Sequence, residues 1–250
     1  MAIVLIKINW KMKYRKFIVV VLILQSLFAQ ADNVKPFIAA SDVFFKKYVS
    51  NGGVTYSKIK QNIGEIGILY KQIGEAKLDG LDDNSKKAFY INAYNIIVIY
   101  WVAKHYPLKS PLDDSGFFDK VRHTVAGEEL TLNVLEIKKL LLPYKDARFH
   151  FALACAAKSC PPLPSFAFQP DKLEQQLTER TTLALNNKGW IKVYDDKKKI
   201  ELSKIFDWYK GDFAADGKTL IDWINQFRKE KIPTTYTVGF YEYNWALNDR

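Results

Sequence analysis

The residues best suited to chemistry lie close together: His150, Cys155 and Cys160, the last running into Pro161-Pro162-Leu163-Pro164. A thiol becomes a nucleophile when a neighbouring base takes its proton and a third group orients that base, so these residue types suit a thiol-dependent hydrolase or acyltransferase. The same two cysteines, five positions apart, suit a local disulfide across Ala156 to Ser159, which would contribute about 2 kcal/mol by restricting the unfolded chain. The spacing leaves both readings open. His150 is the obvious base, but Arg148 to Cys155 reads as a buried strand, in which an offset of five puts His150 and Cys155 on opposite faces; a helix would set them about 140° apart. Cys160 on the returning loop is therefore as good a thiol partner for His150, and His123 could reach Cys155 from a neighbouring strand. His105, just before Tyr106-Pro107, reads as a surface cap on the last carbonyls of a helix.

Three more polar residues stand in apolar surroundings. Asn92 and Asn95, spaced i, i+3, share one face of a greasy helix, and a buried carboxamide without partners costs roughly 1 to 3 kcal/mol. They must be paired, either with the backbone of an adjoining loop or with a histidine or oxyanion in a catalytic site. Glu136 could orient His150 or His123, or complete a capping box with Asn133. Neither H-E-x-x-H nor a paired C-x-x-C is present, so no metal or cofactor is expected, and there is no phosphate-binding glycine loop or Rossmann fingerprint. The late aromatic residues Trp208, Tyr209, Trp223, Tyr241, Tyr243 and Trp245 fit a core or a sugar-stacking surface.

The elements that must position these groups follow from periodicity and punctuation. Ala39 to Tyr70 predicts two helices around the Gly52-Gly53 break. Asp82 to Ser85 supplies N-cap chemistry for a helix over Lys86 to Lys104, apolar nearly all round and therefore buried. Val121 to Val125 and Glu129 to Leu132 flank Ala126-Gly127 as a hairpin, after which Asn133 caps a short helix through Leu142. Asp171 to Asn187 is helical. A second hairpin joins Ile191 to Val193 and Ile200 to Leu202. Short helices follow near Ile205 to Lys210 and Leu220 to Arg228, and Tyr236 to Tyr243 alternates like a strand. The expected fold is a single α+β domain in which a small, mostly antiparallel sheet packs on the buried central helix among surrounding helices.

Residues 1–31 carry a basic segment ending Lys13-Tyr14-Arg15-Lys16, an apolar run from Phe17 to Phe28 and the small residues Ala29-Gln30-Ala31. This is the pattern of a signal peptide cleaved before Asp32, with Met12 the better start; the competing reading is an uncleaved anchor. A secreted or periplasmic domain over 32–250, with no membrane span after cleavage, is expected. The formal charge of +10 owes five cations to that leader, and the remaining 32 basic against 27 acidic side chains give +5. The lysines at 197–199, 229 and 231 alternate with Asp195, Asp196 and Glu230, so no nucleic-acid partner is expected.

Four motifs together resemble a known family, the domain of unknown function 547: Phe89-Tyr90-Ile91-Asn92-Ala93-Tyr94-Asn95; Leu132-Asn133 with Glu136; His150 to Cys155 with Ser159 to Leu163; and Tyr243-Asn244-Trp245-Ala246-Leu247-Asn248. Asn244 departs from the aspartate expected in the closing motif, which removes any carboxylate role there. The family's name implies no activity. Two functions are carried forward. One is an envelope domain that binds a protein, peptide or glycan partner, with Cys155 and Cys160 as a staple. The other is a thiol enzyme using Cys155 or Cys160, His150 as base, Glu136 or Asn92 as orienter and Asn95 at the oxyanion.

Overall fold

In the computed structural model, residues 33–214 and 217–250 are described; the proposed leader and cleavage point lie outside them. The chain opens with α1 (Val34–Tyr48), whose apolar residues Val34, Phe37, Ile38, Phe44, Phe45 and Tyr48 recur at helical spacing and are all buried. A two-residue hairpin follows, β1 (Val49–Ser50) against β2 (Gly53–Val54). Where one further helix was expected there are two, α2 (Tyr56–Gln61) and α3 (Ile63–Glu75), because Asn62 leaves helical geometry and its amide donates back to the Lys58 carbonyl.

The centre is α4 (Asp83–His105), capped by Asp82, whose carboxylate accepts from Ser85 N at 2.9 Å. From Ala88 to Ile99 it is buried on nearly every side. Phe89 meets Phe37 of α1 edge-on at 5.5 Å. His105 Nδ1 lies 2.9 Å from the Trp101 carbonyl at the helix end.

The fold is α+β, with the strands among the described residues divided among three small sheets. β3 (His123–Val125) and β4 (Glu128–Leu130) form an antiparallel hairpin; at its turn, Ala126 N and Gly127 N donate to the Ile73 and Gly74 carbonyls at the end of α3. Buried Val125 and Leu130 join the same core as α4. The next helix, α5 (Leu132–Glu136), is capped by Thr131 rather than Asn133: the Thr131 hydroxyl accepts from Val134 N, and Asn133 lies inside the first turn. After α6 (Leu173–Leu185), β5 (Ile191–Tyr194) and β6 (Lys199–Leu202) pair antiparallel. Short helices α7 (Ile205–Trp208), α8 (Lys210–Phe213) and α9 (Leu220–Asn225) lead to β7 (Thr237–Phe240), which adds parallel to β6. Ile191, Ile200 and Leu202 of this sheet cover a second apolar cluster with Phe151, Phe206, Phe213 and Ile224. Among the described residues no helix is long and apolar enough to cross a membrane.

The segment read as a strand, Arg148 to Cys155, is a 3-10 helix (Ala147–Phe151) followed by irregular chain. Small apolar residues suit any buried backbone. What decides the conformation is pairing: the Asp146 side chain caps Arg148 N at 3.0 Å, and the backbone beyond bonds to a side chain of α4 where a strand would need a neighbour.

His123 does not approach the cysteines. Its Nδ1 lies 3.0 Å from the Tyr70 hydroxyl, its ring stands edge-on to Trp101, and its buried Nε2 has no partner. Burial lowers its pKa to about 4, against a smaller upward pull from Glu129. The unfolded chain therefore takes up this proton first as pH falls below the ordinary histidine value. The stability held by neutral His123 is complete above about pH 6.5 and lost towards pH 4, on the order of 2 to 3 kcal/mol. Urea unfolding should lose more stability between pH 7 and 4.5 in the wild type than in His123→Gln; equal losses would rule this out.

Candidate functional site

Two carboxamides of α4 fix the loops that build the site. Asn95 donates from Nδ2 to the Ala152 carbonyl and accepts at Oδ1 from Ala154 N, both at 2.9 Å. One turn earlier, Asn92 donates to the Phe168 carbonyl at 2.8 Å and accepts from Phe168 N at 2.9 Å. Each amide thus stands in for a strand neighbour to an otherwise unpaired segment. Each carboxamide gives one hydrogen bond to backbone and takes one from it, as the positioning alternative expects.

The segment held by Asn95 delivers Cys155 to a turn at Ala156, which takes a left-handed conformation with φ 61°. Cys155 and Cys160 are joined as a disulfide, and Cys155 N donates to Cys160 Sγ at 2.9 Å. On the far side of the loop, Gly52 lies so close to Pro162 that a Cβ there would come within 2.6 Å of the proline Cβ, and only glycine fits.

The closing motif zips onto the same loop. Lys158 N donates to the Ala246 carbonyl at 2.8 Å, Asn248 N to Ala156 at 2.9 Å and Ser159 N to Asn244 at 3.2 Å. Asn244 Oδ1 accepts from Ala246 N at 2.9 Å, a turn-forming bond that amide and carboxylate oxygens make equally. This register carries Tyr243 over the disulfide, with the Trp245 ring beside it at 4.7 Å. The Tyr243 hydroxyl lies 3.2 Å from Cys155 Sγ and 3.3 Å from Cys160 Sγ.

Between these parts is a cavity of about 260 Å³, lined by Cys155, Cys160, His150 and Glu136 together with aromatic side chains and Asn133. Four of the six candidate residues therefore meet in one place. Asn92 and Asn95 stand behind it and hold the backbone. Because the segment between His150 and Cys155 is irregular, the face argument for a strand or helix does not apply, and both residues line the cavity. Glu136 forms no capping box, since Asn133 is not the cap; its side chain turns to the cavity instead.

His150 is buried between two acids. Its Nε2 lies 2.8 Å from Asp212 Oδ2, where the carboxylate accepts and the ring nitrogen donates, and its Nδ1 lies 3.7 Å from Glu136 Oε1. Tyr209 packs on the imidazole with ring centroids 4.1 Å apart. Burial raises the pKa of Glu136; the neighbouring His150 and the Tyr209 and Tyr94 hydroxyls pull it part of the way back. Burial likewise pushes the Tyr94, Tyr209 and Tyr243 hydroxyls up, so they remain protonated donors. Asp212 and Tyr94 were not singled out from sequence. Tyr94 sits inside the Phe89 to Asn95 motif, which was a usable signal, whereas Asp212 lies on a four-residue helix with nothing local to mark it.

Among the described residues no group of three or more His, Cys, Asp or Glu is placed to hold a metal. The segment that supplies most of this geometry is also the segment that matches a known family. Residues 78–183 match the model of the family described as Protein of unknown function, DUF547. The DUF547 match covers α4, Glu136, His150 and both cysteines, and ends before Asp212 and the closing motif. No curated protein and no solved structure gives a significant match.

Asn95→Ala would leave the Ala152 carbonyl and Ala154 N buried and unpaired and should lower stability by about 3 kcal/mol in urea unfolding. Asn244→Ala, at an exposed turn, should cost less than about 1 kcal/mol by the same measurement. Equal effects would show that the carboxamide of α4 does not hold the loop.

Proposed function

We propose that the chain is an exported domain that binds a protein, peptide or glycan partner in this cavity, with the Cys155–Cys160 disulfide as a staple of its wall. The observation that carries this reading is the state of the sulfurs: they are bonded to each other and face the Tyr243 hydroxyl, while His150 gives Nε2 to Asp212 and turns Nδ1 towards Glu136. Among the described residues the cavity wall offers rings, hydroxyls and a carboxyl group, and its two sulfurs are bonded to each other. A disulfide persists in oxidising compartments, in keeping with the leader-like residues 1–31 and an envelope or extracellular location.

The thiol hydrolase or acyltransferase is the second reading, favoured by the meeting of both cysteines with His150 and Glu136 in one cavity. Reduction of the disulfide would release a half-buried Cys155 thiol beside these groups.

Intact-mass analysis of the exported protein separates the two. The expected mass is that of residues 32–250 less two hydrogens, with no iodoacetamide adduct until a reductant is added. Retention of the leader would contradict cleavage and replace the released domain with an anchored one. Two free thiols, one alkylating far faster than a model peptide, would replace the binding domain with the thiol enzyme.

A further inference from the structure

The lining of the cavity narrows what it can hold. Its aromatic wall is continuous: Tyr243 and Trp245 lie 4.7 Å apart, Trp208 lies 4.9 Å from Tyr243 and 5.8 Å from Trp245 at 26°, and Phe118 lies 6.3 Å from Trp245. Trp208 is 48% exposed, so this wall runs out of the cavity to the surface. The polar groups that share the space are Asn133, Glu136 and the hydroxyls of Tyr94, Tyr209 and Tyr243.

Charge decides between ligand classes. Among the described residues no lysine or arginine lines the cavity, and its one basic group, His150, is already placed between two carboxylates. An anionic ligand would meet Glu136 with no cation free to receive it, and its desolvation would go uncompensated. The Tyr94 and Tyr209 hydroxyls already bond to Glu136 and the Tyr243 hydroxyl faces the sulfurs, but a purely apolar ligand would bury the Asn133 carboxamide without a partner and forfeit the open acceptor sites of Glu136. A cation would be attracted by the rings and by Glu136 but would leave the Asn133 amide donors unanswered. A neutral polyol ring satisfies both sets at once: its C–H faces lie on aromatic rings, and its hydroxyls both donate to and accept from carboxyl, carboxamide and phenol groups. The cavity's volume suits a single six-membered sugar ring, and the exposed Trp208 gives the next sugar of a chain a surface to lie on.

We propose that the cavity binds an uncharged pyranose unit of a glycan, its ring face against Tyr243 and Trp245, its hydroxyls on Glu136 and Asn133, and the continuing chain over Trp208. This assignment rests on the binding-site reading above and names the ligand class.

The test is isothermal titration of the oxidised protein with maltotriose, cellotriose and N,N′,N″-triacetylchitotriose, with choline as the cationic probe and trigalacturonate as the anionic one. At least one neutral trisaccharide should bind saturably, with Kd on the order of 0.1 to 1 mM, and the anion should not bind. Trp208→Ala, at an exposed position, and the isosteric Glu136→Gln should each weaken that binding by about tenfold. Both variants should keep the wild-type thermal midpoint within a few degrees. Binding of choline or trigalacturonate but of no neutral sugar would overturn the sugar assignment and leave the binding domain standing. Silence from all five probes would also overturn the assignment, and the state of the thiols by mass would then judge the binding-domain reading separately. Sugar binding unaffected by both substitutions would place the sugar elsewhere and overturn the assignment to this cavity.

Discussion

A carboxamide buried on an apolar helix needs partners for both its oxygen and its nitrogen, and in this protein two such groups each find one donor and one acceptor on the backbone of other segments. Asn95 takes the Ala152 carbonyl and Ala154 N, and Asn92 takes both polar groups of Phe168. These bonds are satisfied only in one register. The helix Asp83–His105 therefore acts as a template: its apolar surface forms the core, and its two amides fix where the His150 to Cys155 segment and the chain after the proline-rich bend must lie. Everything in the cavity depends on that placement, since Cys155 follows Ala154 directly.

The second layer of the site is assembled from the other end of the chain. The residues from Tyr243 to Asn248 bond to the disulfide loop through three backbone contacts and bring Tyr243 over the sulfurs with Trp245 packed beside it. The hydroxyl of Tyr243 facing both sulfurs and the imidazole of His150 facing two acids have the same consequence: reactive groups are occupied by neighbours inside the protein. A wall of rings with a few convergent polar groups remains, which is the composition of a ligand site.

How much of this was legible in the sequence follows from how local each signal is. The central helix announced itself through Asp82 to Ser85 and an unbroken apolar run, and both hairpins through alternation around Ala126-Gly127 and Asp195-Asp196. The pairing demand on Asn92 and Asn95 was also visible, because burial could be inferred from their neighbours on the helix. The segment Arg148 to Cys155 was misread as a strand because its backbone partner is a side chain more than fifty residues away, and periodicity carries no trace of such a bond. Thr131 and Asn133 are both good caps, and only the position of the first helical turn distinguishes them. Asp212 could not be found at all, since its role is created by the fold that carries it to His150.

If the amides of α4 hold the site's backbone as firmly as a sheet would, native-state hydrogen exchange resolved at Ala154 N and Phe168 N will show it. Both amides should exchange as slowly as those in the middle of α4, opening only with global unfolding, although neither lies in a helix or a strand. Exchange of either amide at the rate of an exposed loop would mean that the cavity's frame is not held by these two side chains.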